Sequence, residues 1–140
     1  MAQVADYIVM SDESVTIVPN PQTGTAGEHR ISITLPSDAV VANARQSAIL
    51  MFLVRTPGGS VNMEIDLNAR RILNLAGLNT PIVQTIHEVI DPNRLRAGLQ
   101  NDFLFRVVSP PATPPANAEL RISDIILWFQ RSEPVFGSAE

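Results

Sequence analysis

Apolar and polar residues alternate along several short segments of this chain, and that two-residue period limits its fold more than any other feature. The segment Ile31–Leu35 reads I-S-I-T-L, and the segment Val61–Leu67 reads V-N-M-E-I-D-L. In a strand, such alternation places one set of side chains in a core and the other in solvent, as is typical of antiparallel sheets. The helical period is almost absent, so the sequence predicts an all-β chain.

The segments with strand character are separated by Pro, Gly and Asn. They are Tyr7–Met10, Val15–Val18, His29–Leu35, Ser47–Arg55, Val61–Leu67, Ile82–Ile90, Asn101–Val108 and Glu119–Gln130. With 140 residues the chain has an ordinary length for one domain. We therefore predict one domain over residues 1–140, an antiparallel β-sandwich or jelly roll of about eight strands. Its core is expected to include Ile33, Leu50, Phe52, Ile65, Phe105 and Ile125.

The run Ala48–Val54 differs from these strands because it is apolar throughout. Its strand is expected to be covered on both faces, either as a central strand or beneath another chain. The pair Gly58–Gly59 follows closely and predicts a hairpin between this strand and the next.

One short helical turn is predicted to interrupt the strand pattern at residues 91–98. Asp91 can cap the turn, and Pro92 suits its first helical position. Gly98 suits the exit, where a left-handed backbone is common, and Leu95 is expected to close the open end of the sandwich.

From about residue 28 to residue 130 the order of motifs resembles the galactose-binding-domain-like jelly roll. The motifs are V-N-M-E-I-D-L-N-A-R at 61–70, T-I-H-E-V-I at 85–90, L-R-A-G-L-Q-N at 95–101, F-L-F-R-V at 103–107 and I-S-D-I-I-L-W at 122–128. Ala69 departs from the pattern, because a glycine usually follows the turn asparagine. Gly98 departs from it as well, because two residues separate it from Asn101.

The resemblance implies a jelly-roll β-sandwich of the accessory or lectin type, whose binding residues lie in variable loops. It implies a noncatalytic binding module, and it makes carbohydrate the leading ligand class. It also implies a structural calcium as a candidate ligand.

The sequence gives little support to an enzyme. Its two histidines, His29 and His87, lie in predicted strands, far from any nucleophile motif. The glycine pairs lack the lysine and helix of a phosphate-binding loop, and the absence of cysteine excludes cysteine-built metal sites. We predict no catalytic residues, although fourteen acidic residues leave open a carboxylate pair that meets in space.

Sugar recognition commonly uses aromatic rings with polar groups around them. The chain has one Trp, one Tyr and five Phe, and three of the Phe fall on expected core positions. Tyr7 and Trp128 are therefore the candidate platforms, and Arg70 is the candidate polar partner. Trp128 also has a second interpretation, as a core or interface residue.

Three acidic residues near the N-terminus are the calcium candidates. Asp6, Asp12 and Glu13 lie close together in the sequence, and calcium prefers clusters of oxygen ligands. The alternative interpretation of Asp12 and Glu13 is a polar turn between two strands.

Charge and hydropathy limit the partners. The net charge of −4 argues against nucleic acid, which usually requires a basic face. No apolar stretch is long enough to span a bilayer, so membrane insertion is not expected. Residues 1–6 lack the basic head and apolar run of a signal peptide, and we expect a protein made soluble in the cytoplasm, whose final location is unknown.

The alternative to a binding module is a structural subunit of a homo-oligomer or of a larger assembly, such as a particle or tail. Charged residues make up 17% of the chain, against about 25% in ordinary domains. This deficit predicts an apolar patch that a partner covers. The candidate segments are Ile49–Val54, the last strand with Ile126, Trp128 and Phe129, and the tail with Val135 and Phe136.

Overall fold

The structure is a computed structural model that describes residues 3–20, 23, 25–42, 47–109 and 117–132. The described residues form nine strands and one 3-10 turn. The strands are β1 (Gln3–Ser11), β2 (Val15–Ile17), β3 (Gly27–Thr34), β4 (Ala48–Arg55), β5 (Val61–Leu67), β6 (Arg70–Leu78), β7 (Gln84–Ile90), β8 (Gln100–Val108) and β9 (Leu120–Ser132), and the turn is Pro92–Arg94.

Two antiparallel sheets make up the fold. The five-stranded sheet has the order β1-β9-β4-β7, and β2 pairs with the first part of β9. The four-stranded sheet has the order β3-β8-β5-β6. The antiparallel β-sandwich predicted from the alternating pattern is therefore confirmed.

The core lies between the inner faces of the two sheets. Phe52 of β4 meets Phe105 of β8 edge to face, with ring centroids 5.8 Å apart and planes at 90°. Edge-to-face pairs of this kind add to the free energy gained by burying the rings. Five of the six predicted core residues are buried, and Ile33 is half-buried and packs against them.

The last strand bends at Asp124, whose φ of 51° lies in the left-handed region. Its pairing with both β1 and β4 shifts near this residue. The extra residue of such a bulge changes the alternation. As a result Ile122 and Ile125, three positions apart, both reach the core.

Strand β6 was not predicted from the sequence. It is an edge strand whose pairing with β5 shifts twice, between Val61 and Met63 and between Ile65 and Asp66. These shifts break the regular alternation of exposed and half-buried residues, so the two-residue period that marks the other strands is absent from the sequence.

The hairpin predicted at Gly58–Gly59 is wrong. Its two strands belong to different sheets, because β9 and β7 occupy both edges of β4 while β5 pairs with β6 and β8. The chain therefore crosses between the sheets at this turn. A Cβ atom on Gly58 would lie 1.8 Å from the carbonyl oxygen of Asn117, so the close approach of two backbones requires glycine here.

The core prediction can be tested with Phe105→Ala. Removing a fully buried ring should lower the free energy of unfolding by about 3 to 5 kcal/mol. Ile82→Ala is the control, because Ile82 is 78% exposed, and it should change stability by less than about 0.5 kcal/mol. Urea unfolding measures both, and a loss below about 1 kcal/mol for Phe105→Ala would show that the ring does not anchor the core.

Candidate functional site

The predicted helical turn is present and positions one end of the four-stranded sheet. The Oδ1 atom of Asp91 accepts a hydrogen bond of 3.0 Å from the backbone N–H of Asn93, and Pro92 opens the turn. Gly98 has a φ of 68°, as expected for the exit, and Leu95 is buried.

Two asparagines connect this segment to the sheet through side-chain hydrogen bonds. The side chain of Asn101 is fully buried, and its Oδ1 atom accepts from the backbone N–H of Arg96 at 2.8 Å and from Nδ2 of Asn68 at 3.0 Å. Its Nδ2 atom donates to the carbonyls of Arg96 and Leu99 at 3.0 and 3.1 Å. We call Asn68 and Asn101 the amide latch. It holds the backbone of residues 96–101 in one conformation, because each of these hydrogen bonds is buried or half-buried.

The second latch residue, Asn68, lies in the tight turn between β5 and β6. Asn68 and Ala69 have φ angles of 50° and 68°, a left-handed pair that matches a two-residue hairpin turn. Oδ1 of Asn68 accepts from the backbone N–H of Asp102 at 2.9 Å, so the turn is also tied to β8. The latch therefore places Arg96 and Asp102 beside the end of β5.

A cleft of about 400 Å³ opens on the outer face of the four-stranded sheet. We call it the arginine cleft, and its lining includes Arg30, Asp66, Arg96, Asp102, Leu104 and Arg106. Arg30, Leu104 and Asp66 form one cross-strand row on β3, β8 and β5. The neighbouring row on β3 and β8 contains Ser32 and Asp102.

Asp102 is the central carboxylate of the cleft. Its Oδ1 atom accepts from Ser32 Oγ at 2.5 Å and from Gln100 Nε2 at 3.0 Å. These hydrogen bonds, with weaker attraction from Arg30 and Arg96, lower the pKa of Asp102 below its usual range. Among the described residues no donor bonds its Oδ2 atom.

One side of the cleft is an ion-pair network that is already internally paired. Arg106 lies 2.9 Å from Glu28, 3.6 Å from Glu64 and 3.8 Å from Asp66. Arg71 lies 2.7 Å from Glu64 and 2.5 Å from Asp66, and these two carboxylates raise its pKa. Each of these carboxylates has a nearby guanidinium, so the network stiffens the cleft wall.

The aromatic residues predicted as platforms lie elsewhere, on the outer face of the five-stranded sheet. Tyr7 and Trp128 are opposite each other on β1 and β9, with ring centroids 5.0 Å apart. Both rings are exposed. Arg70 is also exposed, but it begins β6 in the other sheet. The structure thus brings Tyr7 and Trp128 together and leaves Arg70 apart from them.

Tyr7 and Trp128 belong to a larger surface that we call the apolar face. One row across the sheet is Tyr7, Trp128, Ile49 and Val89, and the next is Val9, Ile126, Met51 and His87. These eight side chains include no Asp, Glu, Lys or Arg. The run in β4 is therefore central, as predicted, and no described residue forms a layer over its outer side. Phe129 points inward and is buried, and Val135 and Phe136 lie outside the described residues.

The other candidate residues do not converge. His29 lies on β3 and His87 lies on the outer face of β7, so the two histidines belong to different sheets. Asp12 and Glu13 are exposed in the turn between β1 and β2. In the described part of the chain no group of three or more His, Asp or Glu could hold a metal ion, and calcium binding stays a prediction.

Asp6 has a partner of its own. Its Oδ2 atom accepts from Nη1 of Arg131 at 2.9 Å, which lowers the pKa of Asp6. Arg131 also binds Asp38 at 3.0 Å, so it joins the edge strand β1 to the loop after β3. No helix in the described residues is long and apolar enough to cross a membrane.

The arginine cleft was not predicted from the sequence. Its members are the polar residues of alternating strands, and they are far apart in the chain. Arg30, Asp66 and Asp102 could have been noticed as charged residues on the solvent side of three predicted strands, but only the order β3-β8-β5 makes them neighbours.

The latch can be tested with Asn101→Ala. The substitution removes the partner of the Arg96 N–H and of the Arg96 carbonyl and one of the two partners of the Leu99 carbonyl, and it should lower the free energy of unfolding by about 1 to 3 kcal/mol. Asn93→Ala is the control, because the side chain of Asn93 is exposed, and it should cost less than about 0.5 kcal/mol. Thermal or urea unfolding checks both, and equal losses in the two variants would contradict the latch.

No family model and no curated protein matches the chain, but solved structures do. The C-terminal domain of EclA, a sugar-binding protein, matches with a TM-score of 0.56 and 14% identity, over 86% of this chain and 80% of that one. A structure of infectious bursal disease virus, Gt strain, matches with a TM-score of 0.54 and 12% identity, over 92% of this chain but 32% of that one.

The C-terminal CBM6 of LamC, a marine laminarinase from Zobellia galactanivorans, matches with a TM-score of 0.46 and 13% identity, over 90% of this chain and 99% of that one. At these identities the matches with TM-scores above 0.5 show the fold alone. The chain has an antiparallel β-sandwich, which is consistent with the galactose-binding-like jelly roll that its motifs resemble.

Proposed function

We propose that this chain is a noncatalytic carbohydrate-binding module whose ligand lies in the arginine cleft. The observation that carries the proposal is the convergence of planar polar side chains around a cleft of about 400 Å³. Small-molecule sites of this size combine a few well-placed polar groups with apolar lining. Leu104 provides an apolar floor for a sugar ring, and Asp102 provides an open acceptor for its hydroxyl groups.

The state of Asp102 does not suit a general acid. A general acid in a glycosidase needs a raised pKa, so that the group still carries its proton near neutral pH. The hydrogen bonds from Ser32 and Gln100 do the opposite and keep Asp102 ionised. An ionised carboxylate held in place is suited to accept strong hydrogen bonds from a ligand.

The similarity to the C-terminal domain of EclA supports the same class of function, because that domain is described as a sugar-binding protein. Its fold alone does not specify a ligand, since one fold can carry many functions. The proposed function therefore depends on the cleft residues of this chain, and the fold is consistent with that function.

Glycan-array screening followed by calorimetry with the best saccharide tests the proposal. Asp102→Asn should lower the affinity at least about tenfold, because a charge-assisted hydrogen bond becomes a neutral one. Asp12→Asn is the matched control on an exposed turn and should leave the affinity unchanged. Absence of binding to any saccharide, or equal affinity of the two variants, would contradict the proposal.

The aromatic pair provides a separate test of the sequence prediction for Tyr7 and Trp128. The next row of the sheet, which contains Val9, Ile126 and Met51, is largely apolar, and this leaves few partners for sugar hydroxyls on that side. We therefore place the ligand in the cleft and expect Trp128→Ser to keep the saccharide affinity. A loss of affinity in that variant would assign the sugar site to the aromatic pair.

We propose a second function for the apolar face, which is self-association with another copy of this chain. The two rows cross four strands spaced about 4.8 Å apart and extend over about four residues of each strand, so they cover about 250 Å² per copy. Two copies would bury about 500 Å², well below the usual range for specific interfaces, so we expect a weak dimer that forms only at high concentration. Val89 is 62% exposed in the single chain, which is unusual for a large apolar residue beside others of its kind.

Light scattering over a range of concentrations tests this second proposal. We expect a dimer that dissociates on dilution and that Trp128→Ser weakens, because Trp128 lies in the middle of its row. Ile82→Ser removes another exposed apolar side chain outside the two rows and should have no effect. A monomer at all concentrations, or a dimer that both variants leave unchanged, would contradict self-association through this face.

A further inference from the structure

Some charged side chains of the arginine cleft have ion-pair or hydrogen-bond partners within the protein, and others do not. Arg106 and Asp66 belong to the internal network described above, and Asp102 is held by two neutral side chains. Arg30 and Arg96 are the other two charged residues of the cleft. Among the described residues neither guanidinium makes an ion pair or a hydrogen bond, and both attract Asp102 only at longer range.

These two guanidinium groups come from different elements and face one cleft. Arg30 projects from β3, in the same cross-strand row as Leu104. Arg96 projects from the segment that Asn101 holds through both its backbone N–H and its carbonyl, at 2.8 and 3.0 Å. A fixed backbone lowers the entropy lost when the side chain binds a ligand.

We propose that the arginine cleft binds a saccharide that carries a carboxylate, with Arg30 and Arg96 as the carboxylate-binding residues and Asp102 as a hydroxyl acceptor. This inference rests on the proposed carbohydrate-binding function. The planar fork of arginine matches a carboxylate through two parallel hydrogen bonds, which the compact charge of lysine does not provide. All ten basic residues of the chain are arginine.

The overall charge of the protein limits how large an anionic ligand can be. The net charge is −4, so a long polyanion would meet repulsion outside the cleft. Asp102 lines the same cleft as the two arginines, and it favours a ligand that presents hydroxyl groups next to its acid group. A short acidic saccharide has both features, whereas an acidic peptide lacks the hydroxyl groups.

Calorimetry with trigalacturonate and with the galactotriose obtained by reducing its carboxyl groups tests the inference. We expect the acidic saccharide to bind at least about tenfold more tightly, and its affinity to fall when NaCl is raised from about 50 mM to about 300 mM. Arg30→Gln and Arg96→Gln should each remove most of this preference, about fivefold or more, because glutamine has neither the charge nor the planar fork of arginine.

The controls separate this inference from the function on which it rests. Arg121→Gln, an exposed arginine of the five-stranded sheet, should keep the preference. Equal binding of the two saccharides, insensitive to Arg30→Gln and Arg96→Gln, would overturn the acidic ligand and leave the carbohydrate-binding function in place. Binding of neither saccharide nor of any other glycan would overturn both. A triglutamate peptide that binds more tightly than trigalacturonate would overturn the saccharide and identify a peptide ligand.

Discussion

The buried amide of Asn101 is the interaction on which the candidate site depends. A polar side chain without access to water destabilises a fold unless its donors and acceptors are paired, and here both ends of the amide are paired. Its partners come from the turn after β5 and from the segment before β8. One side chain therefore fixes two loops relative to a strand, and the position of Arg96 in the cleft follows from that.

The two outer faces of the sandwich differ in chemistry. The four-stranded sheet carries charged side chains at successive solvent positions, and they pair across β5, β6, β8 and β3. The five-stranded sheet carries two uncharged rows. This separation allows one face to bind a polar ligand while the other contacts a second protein surface, because neither contact blocks the other.

Most of the strands were predictable, since residues such as Ile31, Ile65 and Phe105 follow the two-residue period that burial on one face imposes. The shifted pairing of β6 hides that period, and the sheet to which β5 belongs depends on pairing between distant segments. The site was predictable only in part. The motifs of the resemblance contain both latch asparagines, but the hydrogen bonds of these residues were not predicted. Arg30 and Arg96 become neighbours through the order of strands, which no local pattern encodes.

The most direct test of the account is a titration of the 15N-labelled protein with trigalacturonate, followed by NMR. Trp128 is the one tryptophan of the chain, so its indole N–H is a distinct reporter of the apolar face. If the saccharide lies in the arginine cleft, the amide signals of Arg30, Arg96 and Asp102 move in proportion to bound ligand while the indole signal of Trp128 stays in place. Movement of the Trp128 signal, with the cleft amides unchanged, would contradict this location of the ligand.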